Sequence, residues 1–131
     1  MAANDSSPTI HSVQLLQVFR ATLALSWIYH GIFPKLLSIA PMERAITATL
    51  GFDEKSSMFI TLGAGVAEVI FGVLLFVFYR CNWLIKLNIL ALIGLLLYIA
   101  FFIPNYLFEA FNPVTTNLPL IVISLALLTE V

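Results

Sequence analysis

The chain has 131 residues, 61% of them hydrophobic and only 10% charged, and its net charge is −1 from six basic and seven acidic side chains. Its mean hydropathy is +1.03. Ordinary soluble domains carry about 25% charged residues, so this composition excludes a water-soluble exterior and places the chain in a membrane. It has no basic field that would hold nucleic acid, and a single cysteine, Cys81, excludes both an internal disulfide and thiol exchange of the Cys-x-x-Cys kind.

Residues 1–11, "MAANDSSPTIH", read as a polar tail without the basic n-region of a signal peptide. A bilayer core of roughly 30 Å takes about 20 apolar residues in a helix, and four segments meet that need. Span one is expected over residues 13–33, with Gln14, Gln17 and Arg20 on its first half. Arg20 lies near an end and can extend its charge to the headgroups. The span leaves the membrane on "SWIYHGIFPKLL", where Pro34 ends the helix and Trp27 and Lys35 suit the interface. The stretch "APMERAITATLGF" mixes apolar and polar residues at helical spacing, which predicts a short interfacial helix stopped by Gly51. Span two covers residues 58–79 and holds one charge, Glu68. After "RCN", too short for anything but an antiparallel hairpin, span three runs over 83–103 with Lys86 and Asn88 near its start. Span four, 114–131, follows an Asn112-Pro113 pair that suits a helix start, and it carries Asn117 in its first turns.

The predicted fold is therefore all-α: one polytopic membrane domain, an antiparallel bundle of four transmembrane helices with a short interfacial helix between spans one and two. An even number of spans puts both termini on one side. Basic residues number three on each side, and the tight placement of Arg20, Arg80 and Lys86 against the spans assigns the termini to the cytoplasm.

Glu68 is the sharpest feature, because it falls near the bilayer midplane, where an ionisable side chain marks a functional site by default. Gly65 and Gly72 share its face at spacings of three and four, so this side of the helix is open to close approach. Two readings stand for Glu68: a protonated side chain making one interhelical hydrogen bond, or a group that transfers a proton or binds a ligand. His30 belongs to the same half of the membrane and is the candidate partner for Glu68, the alternative being an interfacial hydrogen bond. Arg20, about 15 Å along the helix from His30 and on an oblique face, is either a headgroup anchor or a second partner of Glu68. His30, Lys35, Glu109, Asn112 and Asn117 are expected to rim a pocket leading toward Glu68, with Trp27, Tyr98, Arg20 and Asn88 as further ligand-binding candidates. The competing reading of these residues is helix capping and headgroup contact.

Three runs carry a family resemblance: "W-x-x-H-G-x-x-P-K-L" at Trp27, His30, Gly31, Pro34, Lys35 and Leu36; "G-x-x-E-x-x-x-G" at Gly65, Glu68 and Gly72; and "F-N-P-x-x-x-N" at Phe111, Asn112, Pro113 and Asn117. Over about residues 15–130 the chain resembles the DoxX-like family of small four-span bacterial membrane proteins. That resemblance implies a multi-pass protein of the bacterial cytoplasmic (inner) membrane. The founding DoxX-type protein looks like the small membrane subunit of a thiosulfate:quinone oxidoreductase, and other relatives are linked to membrane redox complexes. With only His11 and His30, the chain offers no bis-histidine pair on one helix for haem, and no metal site is expected. It is expected instead to bind a quinone or lipid, or to anchor a soluble or membrane redox partner, with membrane lipid and a homodimer as further partners. Glu68 and His30 are then the reacting pair. The alternative is a small oligomeric transporter, or a structural anchor without activity of its own.

Overall fold

The computed structural model describes residues 9–131; the first eight residues of the expected polar tail lie outside the described ones. Helix α1 spans Ile10–Gly31. It starts three residues before the expected span because Thr9 caps it: its hydroxyl accepts from the Ser12 amide at 3.4 Å, and Ser12 Oγ donates back to the Thr9 carbonyl at 2.7 Å. Ile10 and His11 are thus helical rather than part of a tail.

Pro34 does not end this helix. The chain continues as a π turn over Ile32–Leu37, in which the Ser38 amide reaches the Phe33 carbonyl at 3.3 Å. In an α-helical turn the proline ring would press on the carbonyl four residues back; the wider turn relieves that clash and carries the helix past Pro34. The expected interfacial helix is α2, Pro41–Thr49, with proline in its first turn. It is bent by 84° from the Ile10–Leu37 segment before it. Gly51 follows at φ +78°, in the left-handed region that glycine adopts without strain.

Helices α3 (Glu54–Val77), α4 (Asn82–Phe102) and α5 (Pro113–Glu130) complete the chain, with a 3-10 turn over Pro104–Phe108 between the last two. Each of the three is long and apolar enough to cross a membrane, and the bent pair of Ile10–Leu37 with α2, taken as one unit, makes a fourth. The chain is an all-α polytopic membrane protein.

Helix α1 lies at the centre, packed along α3 on one side and α5 on the other, while α4 packs along α5 and α2 rests on α3. Although the turn after Val77 is as short as expected, the consecutive helices α3 and α4 are not close-packed on each other. A core of Leu23, Ile85, Leu92, Leu120, Ile121 and Leu127 joins α1, α4 and α5. Leu90, Phe101 and Val122 point outward, as side chains facing lipid do.

The α1–α3 contact is of another kind. A Cβ placed on Gly31 would come within 2.5 Å of the Gly65 carbonyl oxygen, one on Gly65 within 2.8 Å of the Gly31 carbonyl oxygen, and one on Gly72 within 2.7 Å of the Ala24 carbonyl oxygen. The helices therefore meet at backbone distance, which only glycine permits. Gly63 and Gly94 face open space instead. Gly31→Ala or Gly65→Ala forces the helices apart and is expected to cost about 1–3 kcal/mol, as overpacking of a tight interior does. Gly63→Ala and Gly94→Ala leave stability unchanged or slightly raised. Thermal unfolding of the four variants in one detergent checks this, and equal melting temperatures for all four would contradict the seam.

Candidate functional site

Glu68 lies between the two α3 glycines that touch α1, so its side chain is directed into the bundle. The group it meets there is Lys35. Lys35 Nζ lies 2.8 Å from Glu43 Oε1 and 3.1 Å from Glu68 Oε2, and the three side chains are 8%, 13% and 19% exposed respectively. The contact with Glu43 is a hydrogen-bonded ion pair. The approach to Glu68 Oε2 is off the hydrogen-bond axis, leaving that buried oxygen with no aligned donor among the described residues.

Local sequence explains each placement. The π turn that accommodates Pro34 carries Lys35 inward rather than to the headgroups. The 84° bend then brings the first turn of α2, with Glu43, back over the ammonium. At its other end α2 is tied down by hydroxyl contacts, Ser57 to Thr47 and Thr49 with Tyr98.

The cluster closes a cavity of about 50 Å³. Its polar lining includes Ser26, His30, Lys35, Glu43, Glu68 and Asn117, and its walls include Trp27, Ile46, Leu92 and Ile99. That volume suits one or two water molecules. His30 reaches the cavity from α1 but, among the described residues, makes no hydrogen bond or ion pair with Glu68; the charged partner of Glu68 is Lys35. His30 and Ser26 also line a shallow cleft on the outer face of α1 with Thr22, Leu25 and Tyr29. Among the described residues no group of His, Cys, Asp and Glu is arranged to hold a metal ion.

The remaining candidates divide by position. Asn117 joins Lys35 and His30 at the cavity, its Nδ2 donating to the Leu92 carbonyl at 3.2 Å. Asn112 caps α5: its side-chain oxygen accepts from the Val114 and Thr115 amides at 2.9 and 3.2 Å. Glu109 offers Asn112 its backbone carbonyl and does not line the cavity. Tyr98 meets Thr49 and stacks on Phe102 with ring centroids 4.7 Å apart. Arg20 is away from Glu68, its guanidinium over the rings of Phe76 and Tyr79 at 4.3 and 4.6 Å from their centroids. Asn88 is fully buried in a hydrogen-bond chain: Trp27 Nε1 donates to Asn88 Oδ1, Asn88 Nδ2 to Ser124 Oγ, and Ser124 Oγ to the Leu120 carbonyl, each at 2.6 Å. Trp27 is therefore an interior group and not an interface anchor.

A family model described as the DoxX-like family matches residues 24–125. The chain belongs to the DoxX-like family. The match runs from the middle of α1 into the last turns of α5, so it takes in Lys35, Glu43, Glu68, the cavity and the Trp27–Asn88–Ser124 chain. No curated protein and no solved structure matches this DoxX-like chain.

Sequence reasoning did not single out Glu43 or Ser124 as site residues, and it placed Lys35 on the rim of a pocket leading toward Glu68 rather than as the charged partner of Glu68. The available signal was the paired occurrence of a proline before Lys35 and another, Pro41, starting a helix whose first turn holds a glutamate. Removing one partner of a buried ion pair costs about 3–5 kcal/mol because it strands the opposite charge. Lys35→Met, which leaves two carboxylates facing each other, is therefore expected to lower the melting temperature sharply. Glu68→Gln added to Lys35→Met restores part of the loss, and strictly additive effects in that double-mutant cycle would show the two groups to be uncoupled.

Proposed function

We propose that this chain is a small subunit of a bacterial inner-membrane redox complex, with its termini in the cytoplasm, and that the Lys35–Glu68 site receives the polar head of a quinone or of a similar lipid-soluble carbonyl compound. The observation that carries this reading is the burial of an ammonium between two carboxylates beside an apolar intramembrane cavity. Ionisable groups inside a membrane are costly and serve chemistry or transport. A quinone carbonyl is a hydrogen-bond acceptor, and Lys35 is a donor held at fixed depth. Its reduction takes up protons, and Glu68 and His30 are positioned beside the same cavity to supply them. The electrons come from a redox centre on a partner subunit. Membership in a family whose founding protein looks like a quinone-reducing complex's membrane subunit supports the same reading.

The test uses Trp27, which lines the cavity, as the reporter. In a Trp83→Phe background Trp27 is the remaining tryptophan, and a short-chain benzoquinone titrated into the purified protein is expected to quench its emission saturably. Lys35→Met abolishes the saturation. Quenching that stays linear in quinone for both proteins contradicts the proposal and favours a structural anchor.

A further inference from the structure

The cavity presents a conflict with any organic ligand. Its volume of about 50 Å³ is well below the 300–1,000 Å³ of ordinary small-molecule pockets. A carbonyl-bearing ring enters only if part of the wall moves, and the walls are not equivalent. Glu68 belongs to α3, which is locked to α1 at backbone distance through Gly65 and Gly72. Trp27 is fixed to α4 and α5 through Asn88 and Ser124. Met42, Glu43 and Ile46, by contrast, all come from α2, a helix of nine residues.

Three features make α2 the wall that gives way. It is flanked by two irregular joints: the π turn Ile32–Leu37 on one side and Gly51 at φ +78° on the other. Its polar attachments to the rest of the bundle are few and lie at its two ends: Glu43 to Lys35, Thr47 to Ser57 and Thr49 to Tyr98. Its side away from the cavity borders a groove shared with the start of α3. An open groove of about 780 Å³ separates Arg44 and Ala48 of α2 from Phe52, Glu54 and Met58, leaving room to shift.

We propose that α2 is a lid over the site, and that Glu43 is a built-in competitor for Lys35, occupying the position on the ammonium that a ligand's carbonyl oxygen takes when the lid lifts. This rests on the carbonyl-ligand reading above for the identity of the competitor's replacement, but not for the motion of α2. The charges support the exchange. With Glu43 clasped, one ammonium faces two carboxylates. With Glu43 withdrawn to the groove, Lys35 and Glu68 remain as a balanced pair, which suits a neutral ligand in a low-dielectric site better than an excess negative charge does. Glu68 Oε2, now without an aligned donor among the described residues, gains one as the freed ammonium turns toward it.

Glu43→Gln weakens the clasp without changing its size. Amide hydrogen exchange in α2 is then expected to rise, while exchange in the α1–α3 seam does not. Binding of the short-chain benzoquinone, read through Trp27, tightens about tenfold, because the binding-competent state no longer has to be separated from Glu43. The tether Thr47→Cys/Ser57→Cys, made in a Cys81→Ser background, pins α2 to α3. It is expected to abolish quinone binding when oxidised and to restore it on reduction. Unchanged exchange in α2 of Glu43→Gln overturns the lid. Weaker binding in Glu43→Gln, in parallel with Lys35→Met, overturns the competition and makes Glu43 part of the ligand's own site. If neither protein binds the quinone saturably, the ligand reading and the competition fall together, and the exchange experiment alone decides the lid.

Discussion

Helices α1 and α3 touch at backbone distance, Gly31 against Gly65 and Ala24 against Gly72, and most of the site follows from that contact. Lipid tails are as apolar as leucine, so no hydrophobic force drives two helices together inside a bilayer, and close van der Waals contact has to do so. Glycines at spacings of three and four about Glu68 supply it. The same contact fixes rotation: with Gly65 and Gly72 against α1, Glu68 has to face inward. A carboxylate at that position then needs a cation, and the helix packed on it provides one four residues beyond Gly31.

Two of the sets of interior polar groups differ in character. Trp27, Asn88 and Ser124 form a chain in which each side-chain polar atom has a hydrogen-bond partner, ending on the Leu120 carbonyl. Such a satisfied network ties α1, α4 and α5 into one rigid unit. Lys35, Glu43 and Glu68 form the other set, and it is not fully satisfied: it carries an excess negative charge and an oxygen without an aligned donor among the described residues. A buried ion pair adds little to stability against an apolar substitute. Incomplete satisfaction is therefore poorly explained by packing, and the contrast with the finished network a few residues away points to chemistry or exchange at the charged set.

Much of this was legible in the sequence. The spans, the interfacial helix with its glycine stop, the Asn112 cap and the small-residue face about Glu68 follow from local rules that the membrane enforces strictly, because each span must satisfy its own backbone. The partner of Glu68 was not legible. Pro34 reads as a helix end, which puts Lys35 in the headgroups and leaves His30 as the nearest titratable group. The π turn carries the helix past the proline and changes both conclusions. No residue type announces such a turn, since it is a compromise between a proline ring and helix continuation. Glu43 and Ser124 were missed for a related reason: each looks like an ordinary polar residue at an interface or in a span until an 84° bend or a neighbouring helix shows what it faces.

Gly65 links the packing to the site more directly than Gly72 does. A Cβ on Gly72 would meet Ala24 and Ile28, groups concerned with helix packing alone. A Cβ on Gly65 would meet the Gly31 carbonyl, but also the Lys35 Cβ at 2.9 Å and Leu36 Cγ at 3.0 Å. The missing side chain at position 65 thus makes room for two things at once, the backbone of α1 and the stem of the lysine that turns in toward Glu68. The requirement for glycine there is not only that helices approach in lipid. It is also that a long, charged side chain, which would otherwise extend to the headgroups, has a path across the helix surface to a carboxylate one turn further along.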